Sequence, residues 1–156
     1  MISFSNDMPS LYELLKLEEE YEESLREDDE SLLALMDTGR ASCIYVDGSL
    51  AGVTIGERIG EMDKDFPDCA PYVGRHDVLY IYLTTFYKQY QNCGYGKLLT
   101  AYFMGSSRAR GFNLIIGHAT SDSMRKVRAW SGAKFGEEHL DWFGSGRRAT
   151  FYIQPI

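Results

Sequence analysis

The sequence predicts one mixed α/β domain built around a single central sheet, and three observations carry that prediction. Val78–Tyr87 is an unbroken apolar, β-rich run of the length of a buried strand. It leads through the glycine turn Gln91–Gly96 into Lys97–Arg110, which reads as a helix. A second strand–helix pair follows, Phe112–His118 and Asp122–Ser131, with a hairpin before the two pairs and another after them. At 156 residues, one domain over 1–156 is expected.

The elements follow in order. Met1–Ser5 reads as a short edge strand with a weak signal. Ser10 and Glu13 have the spacing of a capping box, and Leu11, Leu14, Leu15, Tyr21 and Leu25 then fall on one helical face. The opposite face is almost solid acid: Glu18–Glu20, Glu22 and Glu23. Like charges one turn apart weaken a helix, so packing must hold this one. A second helix is expected over Asp29–Asp37, stopped by Gly39. Ser42–Val46 and Leu50–Arg58 flank Asp47-Gly48, a strong hairpin turn. Ile59–His76 is a long connection with Pro67 and Pro71, either a covering loop or a surface excursion. Gly111 and Gly132 end the later helices. Ala133–Phe143 and Ala149–Ile153 close the chain as a hairpin around Gly144-Ser145-Gly146.

Composition excludes several classes. No apolar run is long enough for a membrane span, and the N-terminus lacks the pattern of a secretion signal. Cys43, Cys69 and Cys93 have no metal-ligand spacing and cannot all pair, so no metal and a reducing, cytoplasmic setting are expected. Residues 1–104 carry 8 basic and 19 acidic side chains, and residues 105–156 carry 8 and 4. The acidic front argues against nucleic acid and suits a cationic amine substrate; the basic back suits a polyanionic cofactor. Solvated surface charge is the plainer account of both.

The turn after the long strand carries the chemistry. Gly94 and Gly96 open backbone angles closed to other residues and leave no Cβ in the way. A helix N-terminus directly behind them offers free N–H groups to an anion, and Lys97 adds a positive charge. The arrangement reads as a pyrophosphate cradle; the alternative is a strand-to-helix turn without a ligand. It is neither a Walker loop nor the dinucleotide fingerprint.

Gln91-Asn92-Cys93-Gly94-Tyr95-Gly96 resembles the Gln/Arg-x-x-Gly-x-Gly/Ala signature of the GNAT superfamily of acetyl-CoA-dependent N-acetyltransferases. The resemblance covers roughly residues 40–156, with the preceding strand and following helix in place. It implies a mixed, mostly antiparallel sheet with splayed central strands, flanked by helices. It implies that Gln91 through Gly96, with Lys97, hold the pyrophosphate of CoA. It also implies that backbone groups of Thr85, Phe86 and Tyr87 line the pantetheine arm, with the Phe86 N–H as donor to the carbonyl. Ser121 aligns with an asparagine that steadies the arm. Two positions depart from the pattern. Lys88 stands for the usual proline, and Arg128 for the tyrosine that many relatives use as the acid.

The base is open. Asp77, at the head of the central strand, is the candidate, set against a plain strand-capping aspartate; Glu57, Glu61 or water are in reserve. With Arg128 in the acid's place, the thiolate leaves unaided, Tyr82 or Tyr95 assists, or activity is low. Arg125, Lys126 and Arg128 either reach phosphates or form a basic helix face. Cys93 reads as a small residue offering its N–H, and His118 as structural or interfacial. Trp130 and Trp142 read as core residues or, for Trp142, a dimer contact. The chain is expected to be a monomer or homodimer. Its expected activity is direct acetyl transfer to a small-molecule or protein amine. The rivals are a non-catalytic CoA-binding module and a tRNA-directed acetylating toxin, the latter disfavoured by the net charge of -7.

Overall fold

The computed structural model describes residues 1–21, 26–59 and 66–156. Its strands are β1 (Ile2–Ser5), β2 (Arg40–Val46), β3 (Ser49–Glu57), β4 (Val78–Phe86), β5 (Leu114–Ala119), β6 (Lys134–His139) and β7 (Ala149–Pro155). They form one seven-stranded sheet in the order β1-β2-β3-β4-β5-β7-β6. Every neighbouring pair is antiparallel except β4 and β5. The helices are α1 (Leu11–Glu18), α2 (Asp29–Thr38), α3 (Tyr95–Ala109) and α4 (Asp122–Trp130). The fold is therefore the mixed, mostly antiparallel sheet with flanking helices that the resemblance implied.

Local chemistry explains most of the boundaries. Both halves of the Ser10–Glu13 capping box form: Glu13 N–H donates to Ser10 Oγ, and Ser10 N–H to Glu13 Oε2. α1 ends at Glu18. It tightens into turn bonds from Glu20 N–H to Leu17 O and from Tyr21 N–H to Glu18 O, and residues 22–25 lie outside the described residues. Asp28 caps α2 by accepting from Ser31 N–H at 2.7 Å. The last hairpin is shorter than its sequence suggested. β6 stops at His139, and Trp142–Gly144 is a 3-10 turn.

Helices cover both faces of the sheet. Leu14, Leu17, Leu32 and Leu35 of α1 and α2 pack on Ala41, Cys43, Val53, Ile55 and Leu83. On the other face, Phe103 of α3 meets Leu79, Ile81 and Ile115, and Leu99 meets Ile44, Ala51 and Phe86. A bulge in β4 decides which of its residues face each helical layer. Ile55 pairs with Leu83 and Gly56 with Ile81, leaving Tyr82 as an extra residue. The alternation inverts there, so Leu83 faces α1 while Ile81 faces α3.

Two glycines let large rings lie flat where the central strands part. A Cβ on Gly52 would come within 2.4 Å of the Phe86 ring, and one on Gly117 within 2.6 Å of the Tyr152 hydroxyl. Gly52→Ala should therefore destabilise by about 1–3 kcal/mol through overpacking. Urea unfolding of the variant and the wild type measures this.

Candidate active site

The parallel ladder between β4 and β5 runs from Val78–Leu114 to Ile81–Gly117 and stops. Beyond it β4 continues to Phe86, paired with β3 alone. Antiparallel pairing turns successive residues to opposite sides. Tyr87 N–H donates to Ala51 O, so the backbone groups of Thr85 and Tyr87 point at β3. Those of Thr84 and Phe86 then point into the gap that β5 has left. The partners agree: Thr84 O accepts from the Tyr21 hydroxyl at 2.9 Å, and Phe86 O from Gln91 Nε2 at 3.1 Å. The Phe86 N–H points the same way and meets the Tyr21 hydroxyl, while the Phe86 ring, 8% exposed, belongs to the core.

The glycine turn lies directly past this edge. A 3-10 turn over Lys88–Tyr90 leads into it, Asn92 takes a φ of 59°, and Gly94 caps α3 with a φ of 83°. Nothing lies within 4 Å of a Cβ built on Gly94; one on Gly96 would touch only Val127 Cγ2, at 3.4 Å. The N–H groups of Lys97 and Leu98 turn back to Gly94 O. Those of Asn92, Cys93, Gly94, Tyr95 and Gly96 have no acceptor among the described residues. Five amides thus stand together at the start of a fifteen-residue helix, where the dipole favours an anion.

The other candidates fall as follows. Gln91 braces the turn against β4 rather than reaching outward. Tyr95 packs its ring against Tyr90. Thr85 is fully buried. Ser121 spends its oxygen capping α4, accepting from Met124 N–H at 3.1 Å. Lys97 holds its ammonium 5.5 Å from the Trp130 ring, and Trp130 is exposed rather than core. Arg125 ties the start of α4 to Ala119 O and Asp122.

Asp77 is corrected by its position. It sits at the opposite end of β4 from Phe86, roughly 30 Å away at the rise of a strand. Arg75 grips its carboxylate with two bonds, of 3.0 and 2.8 Å, and holds it below the usual carboxylate range. A base needs the reverse shift. Glu57 is at that same remote end, bonded to the Thr38 hydroxyl, and Glu61 lies outside the described residues.

Two buried charged groups flank the gap instead. Glu18, from the acidic run that the sequence left between solvated surface and substrate attraction, is 3% exposed. Its Oε2 accepts from Glu27 N–H at 2.8 Å, and its Oε1 is buried without a partner. Burial pushes its pKa up to about 7. It ends α1 three residues before Tyr21 and acts electrostatically on that tyrosine, whose own pKa burial raises. Across the sheet, Arg128 is also 3% exposed. Its guanidinium donates to Thr100 Oγ1 at 3.3 Å and Thr84 Oγ1 at 3.4 Å, lies 5.0 Å from the Tyr152 ring, and leaves Nε unpartnered. The one signal for either in the sequence was Arg128 replacing an expected tyrosine. Glu18 was hidden among identical neighbours.

These features define a class: the chain has the GNAT acetyltransferase fold. No protein-family model matches the sequence, and no curated protein does. Solved structures match over the whole chain. The ribosomal-protein-S18-alanine N-acetyltransferase of Escherichia coli has a TM-score of 0.78 at 12% identity, over 100% of this chain and 94% of its own. An acetyltransferase of Bacillus subtilis, solved in complex with CoA, gives 0.74 at 14%, over 100% and 99%. The N-acetylglutamate synthase of Neisseria gonorrhoeae, solved with CoA and N-acetyl-glutamate, gives 0.71 at 18%, over 100% of this chain and 35% of its own.

Arg128 has no carboxylate partner among the described residues, so its burial costs free energy that neutral hydroxyls only partly offset. Arg128→Met, which keeps most of the volume, should raise stability by about 1–4 kcal/mol in chemical denaturation.

Proposed function

We propose that this chain transfers an acetyl group from acetyl-CoA to an amine, directly, with both reactants bound together. The observation that carries the reading is the row of five unspent amides next to a β4 edge without a strand partner. A diphosphate fits the amides, because no Cβ of Gly94 or Gly96 would stand in its way. Asn92, Cys93, Gly94, Tyr95 and Gly96 would hold it through backbone N–H groups, with the Lys97 charge nearby. Acetyl-CoA, when bound, supplies an activated thioester carbonyl. The Phe86 N–H, which meets the Tyr21 hydroxyl in the structure, would be the donor for the oxygen of that carbonyl as negative charge develops on it, the substrate oxygen taking the hydroxyl's place.

Glu18 is the proposed base. Only a neutral amine attacks, so its proton must be accepted, and an acceptor works best with a pKa near the working pH. Glu18 meets that condition through burial. The acidic run around it would draw a cationic amine toward the gap. Arg128 cannot give a proton, but a fixed positive charge beside Thr84 would favour a departing thiolate over its neutral thiol.

A second reading rests on Arg128 as well. A CoA-binding module without turnover would keep the cradle and lack an acid. Thiol release from acetyl-CoA over a panel of small and peptide amines separates the two. Turnover on any amine supports the enzyme, and binding without turnover supports the module. The compartment and the oligomeric state proposed are cytoplasmic, and monomer or homodimer, with no nucleic-acid partner. Among the described residues, no helix is long and apolar enough to cross a membrane.

Gly96→Trp should weaken CoA binding by about 100-fold or more, since each lost charge-assisted amide bond is worth roughly 1.5–3 kcal/mol. Calorimetric titration reads this; unchanged affinity would put the diphosphate elsewhere. The Glu18 prediction has two arms. In the wild type, kcat/KM should rise with pH through about 7, and Glu18→Gln should lower it and flatten the rise. For stability, the folded state holds the Glu18 proton to higher pH than the unfolded state. Wild-type stability should therefore fall as pH rises from about 4.5 to about 7, by roughly 3 kcal/mol. Glu18→Gln should remove that slope.

A further inference from the structure

A separate cluster lies where the Phe66–Val73 segment crosses the end of β5. Asp68 Oδ2 is 2.8 Å from His118 Nε2 and 2.7 Å from His139 Nε2. The three donor atoms lie within 4.8 Å of one another. The Asp68 and His118 side chains are 2% and 1% exposed, and His139 is 29% exposed. We propose that Asp68, His118 and His139 form a binding site for a divalent transition-metal ion of the zinc type.

Four observations support the site over a plain hydrogen-bond cluster. First, both imidazoles converge on one carboxylate oxygen, and the second, Oδ1, is buried with no partner. A carboxylate stripped of water on one side is costly, and a cation among the three atoms would balance its charge. Second, His118 Nδ1 is 2.6 Å from the Tyr80 hydroxyl. Metal-bound histidines have their other ring nitrogen held in this way, which fixes tautomer and ring orientation. With Nε2 presenting its lone pair to the ion, Nδ1 carries the proton and donates to the Tyr80 oxygen. Third, the rings of Trp142, Phe151 and Phe66 stand 4.5, 5.2 and 5.6 Å from that of His118, an apolar shell that excludes water from the inner side. Fourth, the partly exposed His139 leaves an approach from solvent, where a water can complete four-coordination. Two nitrogens and one carboxylate oxygen suit zinc rather than calcium or magnesium.

The three ligands come from the connection before β4, from β5 and from β6. Spacings of 50 and 21 residues gave no sequence signal, which is why no metal was expected there. An ion would fasten the Phe66–Val73 segment and the Trp142 turn to the end of β5. This proposal stands without the acetyltransferase reading.

The test uses the tag-free full chain, stripped by chelator and titrated with Zn2+ and, as a spectroscopic probe, Co2+. One ion per chain is expected, with a rise in Tm on adding Zn2+. Bound Co2+ should show visible absorption of a four-coordinate site and two paramagnetically shifted imidazole N–H resonances. His139→Ala, at the most exposed ligand, and Asp68→Asn should abolish the Tm rise. Tyr80→Phe should keep the stoichiometry and weaken binding by about 10–100-fold. Binding below one ion per chain in the wild type would overturn the proposal. So would a cobalt site lacking imidazole signals, or unchanged zinc affinity in the folded His139→Ala and Asp68→Asn chains.

Discussion

The structure depends on one divergence. β4 and β5 share a ladder only as far as Ile81–Gly117, and past that point β4 keeps a single neighbour. Backbone groups that would be satisfied in a closed sheet are left facing a gap. Such groups are costly unless something hydrogen-bonds to them. Tyr21 and Gln91 answer the carbonyls of Thr84 and Phe86, and the Tyr21 hydroxyl also meets the Phe86 N–H. On the α3 side of the sheet, Phe86 packs against Gly52 and Tyr152 against Gly117, one ring on each side of the divergence. The turn into α3 then places its amides beside the same edge.

The fold was largely legible because its signals are local. Strand β4, the Asp47-Gly48 turn, the Ser10 capping box and the glycines that end α3 and α4 follow from neighbouring residues, and all appear. The helix stop at Glu18 was not legible, since the leucine spacing continues past it. The placement of Thr85 and Tyr87 against β3 was also hidden. It depends on hydrogen-bond parity across two strands, and the bulge at Tyr82 that inverts the side-chain faces has no residue signature.

The candidate site was legible where backbone carries it and illegible where side chains converge from a distance. Gly94 and Gly96 announce a turn that leaves amides free. Asp77 was chosen for its nearness in sequence to an apolar strand, yet it lies at the far end of β4 from the glycine turn and is paired with Arg75, two residues away. Glu18 was passed over because five glutamates in a short span look alike until packing selects one. Its burial is a property of α1 lying on the sheet, and no count of charges shows it.

The bulge has a further consequence. By inverting its alternation midway, β4 contributes Leu83, Ile81, Tyr80 and Phe86 to four separate apolar clusters. No cluster is complete without this strand. One ribbon acts as a keel, and a change that loosens it is felt in all four.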